Sequence, residues 1–320
     1  MEIKKLPESR AEISGEIAAE EFERAHQEVF KNTKAELEIP GFRKGMAPDE
    51  LAMSRIGEEK LLWEAAREAI NKRWPNIIKE AGIELVGKPN ITITKIARGN
   101  PLGFKIIVSI LEPIALPDYR SIARRIVDTP QATIIITDDE INKVFSYVKE
   151  HNKNLPPDAD ENKLKSSIRQ NLEFEKHAKE RDKRRMSILE AIARETQFAI
   201  PDVVIEAEIE KMLGELCANL AQMGLKLEQY LEHVKKTEDN LRNDWKPEAK
   251  QRVTFGLILR EIMKKENIMP DLALVAQKTD EMLRTMDSDE RAKASPEAIA
   301  DYVRGRIQHE MVFDLLEKKQ

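Results

Sequence analysis

An aromatic side chain and two adjacent cations stand in a short segment framed by prolines and glycines. The segment covers residues 40–48 and has the sequence PGFRKGMAP. Its prolines and glycines exclude it from a helix or strand interior and restrict the conformations a free loop would sample. Arg43 and Lys44 have the chemistry to bind phosphate or carboxylate groups, and Phe42 can cover a nonpolar patch. The segment is therefore a candidate binding loop whose stiff frame lowers the entropy lost on binding.

A plainer interpretation of these residues stays open at this point. Phe42 could pack back onto its own neighbouring helices, and Arg43 and Lys44 could be solvated surface charges, as in most loops. Residue types and spacing alone do not choose between the two interpretations.

Residue types that usually carry out catalysis form no recognisable pattern in this chain. His309 and Glu310 are adjacent, but the second histidine of a helical zinc-protease motif is missing, and no glycine-rich phosphate loop occurs. Cys217 is the only cysteine, which excludes an intramolecular disulfide and a zinc site built from cysteines. We therefore expect no catalytic residue, no metal and no cofactor. The histidines are scattered over sequence that reads as polar helix faces: His26, His151, His177, His233 and His309.

Composition indicates long, solvated helices with little sheet. Of the 320 residues, 35% are charged and only 5% are aromatic, and the net charge of −5 disfavours a general nucleic-acid binder. The sequence contains no apolar run of membrane-spanning length, and its start does not resemble a secretion signal. We expect a cytoplasmic protein without membrane contact.

The elements that would position the loop follow from hydrophobic periodicity. Helical spacing predicts helices over 19–36, 49–56 and 58–81, and alternating apolar residues predict a strand pair within 2–18 and a hairpin from 83 to 111. Residues 1–113 are thus predicted to form one α+β domain from which the loop protrudes.

The rest of the chain is predicted to be helical. Residues 114–160 are expected to be an extended linker with one helix, which starts at a capping box of Thr137 and Glu140, and 132–136 have strand-like composition. Residues 161–320 repeat apolar residues at helical spacing almost throughout, so we expect an all-α domain.

The run from Gly41 to Gly45, followed by Pro48, resembles the ribosome-docking signature of trigger factor, a family of bacterial ribosome-associated chaperones. The order of elements is also similar along nearly the whole chain. The resemblance implies an α+β ribosome-binding domain (1–113) followed by an elongated all-α chaperone domain with helical arms (161–320). It implies ATP-independent binding of nascent and unfolded polypeptides beside the exit tunnel, and it leaves a homodimer open. The implied docking residues are Gly41, Phe42, Arg43, Lys44 and Gly45, which would meet a ribosomal protein and rRNA phosphate on the large subunit.

Two features depart from the family pattern. The family carries a prolyl isomerase domain of the FK506-binding type after the linker helix, and no segment here is strand-rich enough to be that domain. We therefore expect no isomerase activity. The second departure is Met46, which stands where a lysine is common, so the loop has one positive charge fewer.

Methionines are concentrated in the helical half, which would suit an adaptable client surface. Ordinary core filling is the preferred explanation of any single methionine, and only the collective bias supports a client surface. The candidate client contacts are Met212, Met223, Met263, Met282, Met286 and Met311. Two alternatives to a general chaperone remain, a prolyl isomerase and an assembly factor dedicated to one folded partner.

Overall fold

The computed structural model describes residues 1–130, 133–151, 161–286, 291 and 295–318. Contacts divide the chain into two compact units. The first unit comprises Met1–Pro113 and Phe198–Val253, and the second comprises Ile114–Gln197 and Thr254–Gln320.

A four-stranded antiparallel sheet organises the first unit. Its strands are β1 (Glu2–Leu6), β2 (Arg10–Ile17), β3 (Glu84–Lys95) and β4 (Leu102–Leu111), in the spatial order β1-β2-β4-β3. One row of isoleucines crosses all four strands, because Ile3 pairs with Ile13, Ile13 with Ile106, and Ile106 with Ile91. The two central members are fully buried, whereas the two edge members are more than a third exposed. Cross-strand apolar contacts of this kind fix the register of the sheet.

Two long helices cover the buried face of this sheet. They are α1 (Ala19–Glu36) and α3 (Glu58–Ala81), and the short α2 (Asp49–Ile56) lies between them in the chain. Phe22 of α1 and Ile70 of α3 are 1% exposed and belong to the same core as Ile13 and Ile106. The predicted strand pair, hairpin and three helices are all present, so the α+β expectation is confirmed.

The first unit also contains helices from later in the chain. These are α7 (Asp202–Gln222), α8 (Leu227–Val234) and the beginning of α9 (Glu238–Lys265). Helix α7 approaches β3 at Gly87, where a Cβ atom would lie 2.7 Å from the Val203 side chain. Met212 packs with Ile209 and Ala249 in a small buried cluster between α7 and α9.

Helices make up the second unit. They are α4 (Tyr119–Val127), α5 (Asp138–His151), α6 (Glu161–Glu195), the end of α9, α10 (Leu272–Thr285) and α11 (Pro296–Glu317). Ile188 and Ile192 of α6, Ile258 and Ile262 of α9, and Val312 of α11 are all fully buried in one core. The helical second half of the chain is thus confirmed. No helix in the described ranges is long and apolar enough to cross a bilayer.

A buried arginine joins α6 to α11 in this unit. Arg185 donates to Glu310 at 2.7 and 2.9 Å and to Glu317 at 3.1 and 3.2 Å, and its guanidinium lies 4.7 Å from the centre of the Phe313 ring. The guanidinium holds the pKa of the Glu310 carboxyl below its usual range. A charge buried this deeply is tolerated because carboxylates and an aromatic face surround it.

The predicted linker differs from the observed chain. The described part of residues 114–160 contains two helices instead of one, since α4 precedes α5. Tyr119 and Ile122 bury α4 in the core, and the Asp118 side chain caps it by accepting from the Ser121 backbone N–H at 3.2 Å.

The strand-like composition of 132–136 gives no strand over 133–136, and residue 132 lies outside the described residues, as do 152–160. Contacts group residues 198–253 with the N-terminal unit. The division into functional domains with boundaries at 113 and 160 stays a prediction.

Candidate functional site

The loop between α1 and α2 is held by its own backbone hydrogen bonds. The Phe42 N–H donates to the Ile39 carbonyl at 3.0 Å, and the Met46 N–H donates to the Arg43 carbonyl at 2.9 Å. The Gly45 N–H donates to the Leu37 carbonyl at 3.1 Å, which ties the loop back to the end of α1. These bonds explain how so short a segment keeps a defined shape without regular secondary structure.

Glycine is required at the point where the loop meets α1. Gly45 has φ +77°, and a Cβ atom there would lie 2.9 Å from the Ala35 carbonyl oxygen. Gly41 also has a positive φ, +92°, but has open space around it. Both conformations favour glycine, yet only Gly45 allows the close approach of two backbone segments.

Contacts at the far end of the loop complete its frame. The Ala47 side chain is 4% exposed and anchors the loop in the protein. Lys34 near the end of α1 binds Asp49 at the start of α2, with 2.5 Å between Nζ and Oδ1. The two helices flanking the loop are therefore linked directly as well as through it.

The side chains predicted to bind a partner are displayed on this frame. Phe42 is 44% exposed, so a large part of its ring is available to a partner. Arg43 and Lys44 are exposed and form no ion pair with any residue that the structure describes. Met46 is 70% exposed, and Leu51 on α2 adds a further apolar side chain that sequence reasoning missed. The loop thus presents cations and apolar surface together.

Histidine placement corrects one expectation. His26 is 2% exposed and lies inside the first unit, not on a polar helix face. Within the described ranges, no group of three or more His, Cys, Asp or Glu side chains is arranged to hold a metal ion.

The six candidate client methionines are divided between the two units and differ in exposure. Met212 is 5% exposed and fills a core, so its assignment as a client contact is wrong. Met223 is 71% exposed, whereas Met263, Met282, Met286 and Met311 are half-buried. Met269 was not among the predicted contacts, although it is 82% exposed beside the exposed Leu272.

Comparison with known families shows which family the chain belongs to. Residues 1–147 match the profile described as "Bacterial trigger factor protein (TF)", and residues 162–320 match "Bacterial trigger factor protein (TF) C-terminus". The chain belongs to the trigger factor family. It is a ribosome-associated chaperone, and both matched parts are chaperone parts of that family.

Curated trigger factors from several bacteria align over most of the chain. The protein from Agathobacter rectalis is 20% identical and covers 99% of this chain and 95% of its own length. The Bacillus mycoides protein is 23% identical, covering 93% and 95% respectively. The first alignment extends over 419 residues although this chain has 320, so that relative contains sequence without a counterpart here.

A solved structure supports the fold. It is described as "Promiscuous Substrate Recognition in Folding and Assembly Activities of the Trigger Factor Chaperone" and superimposes with a TM-score of 0.57. The match is 13% identical and covers 99% of both chains. At this identity the likeness shows that the two chains share the trigger factor fold.

The two loop glycines give a matched test of the loop frame. Gly41→Ala should lower the free energy of unfolding by about 1–2 kcal/mol, because an alanine is strained at positive φ. Gly45→Ala should cost clearly more, since its methyl group also meets the Ala35 carbonyl oxygen. Urea unfolding measures both variants, and equal losses would contradict the close approach at Gly45.

Proposed function

We propose that Gly41, Phe42, Arg43, Lys44 and Gly45 dock this chaperone on the large ribosomal subunit beside the nascent-chain exit. The supporting observation is a hydrogen-bonded loop that exposes an aromatic side chain and two unpaired cations. Phe42 covers a nonpolar patch, and Arg43 and Lys44 meet rRNA phosphate or an acidic side chain of a ribosomal protein. Because the frame is fixed before binding, little conformational entropy is lost on docking.

We infer that clients bind through exposed apolar side chains instead of one deep pocket. Met223 and Met269 are the strongest contact candidates, since their flexible thioethers adapt to irregular partners. The half-buried Met263, Met282, Met286 and Met311 remain secondary candidates. Binding of this kind is weak, multipoint and independent of ATP, and it takes place in the cytoplasm. A homodimer, if formed, would cover such surfaces.

We propose that the chain has no prolyl isomerase activity of its own. Its chaperone parts account for nearly all of its residues, and its strands are confined to one sheet in the described part of the first unit. A proline-peptide isomerisation assay should give the uncatalysed rate. Robust catalysis would mean that an isomerase site exists and that this proposal is wrong.

An assembly role is the second candidate function. The solved relative is described in terms of both folding and assembly activities, which favours keeping it. Suppression of aggregation of several unrelated unfolded proteins would favour the general chaperone, whereas action on one partner only would favour a dedicated assembly factor.

Replacing Phe42, Arg43 and Lys44 by alanine should weaken ribosome binding by about 30-fold or more, because all the proposed anchoring groups are lost together. Cosedimentation with ribosomes measures this loss, and circular dichroism checks that the fold is retained.

A matched control removes the same residue types elsewhere in the first unit. The variant Arg55→Ala, Lys60→Ala, Trp63→Ala deletes two exposed cations and an aromatic side chain that is 45% exposed, all outside the loop. It should bind ribosomes like the parent protein. If the loop variant sediments with ribosomes as well as this control does, the loop is not the docking site.

A further inference from the structure

A cleft of about 630 Å3 opens between α1 and α2 in the first unit, directly beside the docking loop. Phe30 from α1 and Met53 from α2 form its apolar walls, and the His26 ring contributes to the lining. The cleft is large enough for an amino-acid side chain with part of its backbone. Neither the loop contacts nor the client surface described above uses it.

Ion pairs bracket the cleft at two heights along α1. Glu23 binds Arg98 of the turn between β3 and β4 at 3.2 Å, and Lys34 binds Asp49 of α2 at 2.5 Å. Glu23 and Lys34 lie about 16 Å apart along the helix axis at a rise of about 1.5 Å per residue. The Lys34–Asp49 pair therefore links α1 to α2 at one end of the cleft, and the Glu23–Arg98 pair links α1 to the β3–β4 turn at the other.

The lining contains a buried polar atom without a partner. His26 is 2% exposed, and its Nε2 makes no hydrogen bond with any residue that the structure describes. Burial lowers the pKa of His26, and the neighbouring Arg98 guanidinium lowers it further. Native proteins rarely leave such an atom unsatisfied, which makes this lining unusual within the first unit.

Charge at the rim of the cleft has the opposite sign to charge on the loop. Glu50 lines the cleft and forms no ion pair within the described ranges, whereas Arg43 and Lys44 are the unpaired charges of the loop. A partner that matches both must place an acidic group or phosphate on the loop and a cation near Glu50. Charges of both signs on one surface orient a docked partner as well as attract it.

We propose that the α1–α2 cleft is a second contact of the docking surface and takes an apolar side chain that neighbours a lysine or arginine. The occupant is a protein segment of the large ribosomal subunit, held while the loop binds its own target. The inference rests on the proposed docking function and deepens it by naming the chemistry of a second partner segment.

Reversing the charge of Glu50 at the rim tests the inference, because the two possible partners predict opposite changes in ribosome affinity. Glu50→Lys should weaken ribosome binding about tenfold, because it repels the cation of the occupant. If the rim instead faced rRNA phosphate, the added positive charge would strengthen binding. Glu59→Lys is the matched control, since Glu59 holds the same position in the first turn of α3 that Glu50 holds in α2. The control should bind like the parent protein.

A second variant tests the apolar wall. Met53→Gln keeps the length of the side chain but makes it polar, and it should also weaken binding about tenfold while the protein stays folded. Unchanged or tighter binding by both Glu50→Lys and Met53→Gln would overturn the cleft proposal.

Two further readouts distinguish the cleft proposal from self-association and from a failure of the docking proposal. If Glu50→Lys changes self-association in analytical ultracentrifugation but leaves ribosome binding intact, the occupant is a second copy of this chain and the proposal is wrong. Loss of binding in the loop variant with normal binding in both cleft variants refutes the cleft alone. Normal binding in the loop variant refutes the docking function itself.

Discussion

The close approach of Gly45 to the end of α1 is the constraint on which the docking loop depends. The Gly45 N–H reaches the Leu37 carbonyl only because no side chain separates the glycine from Ala35. This single contact turns the chain back on itself, and the turn directs Phe42, Arg43 and Lys44 outward. Without it, these three side chains would belong to a flexible connection and would lose more entropy on binding.

Helix α1 transmits the rigidity of the sheet to this loop. Its Phe22 is buried in the core of the first unit, its Phe30 lines the cleft, and its Lys34 binds the start of α2. One helix can make these three contacts together because residues three and four apart share a face. The loop and the cleft therefore belong to one rigid element, so a partner that contacts both meets them at a fixed spacing.

Local patterns predicted the N-terminal elements, and the missed features depend on distant contacts. The hairpin was predictable because its alternating residues reflect one buried face. Residues 133–136 have β-branched side chains but pair with no strand, and a strand requires a partner. The burial of Arg185 has no signal in the neighbouring sequence, because its partners Glu310 and Glu317 are remote along the chain. The exposure of Met223 and the burial of Met212 likewise depend on packing that no spacing rule contains.

Site-specific photo-crosslinking from position 42 tests the central claim most directly. A photoreactive residue placed at Phe42 and bound to translating ribosomes should crosslink to large-subunit components around the exit. The same probe at Trp63, which is exposed to a similar extent in the same unit, should give far less product. Equal crosslinking from both positions, or no large-subunit product from position 42, would contradict the assignment of this loop as the ribosome tether.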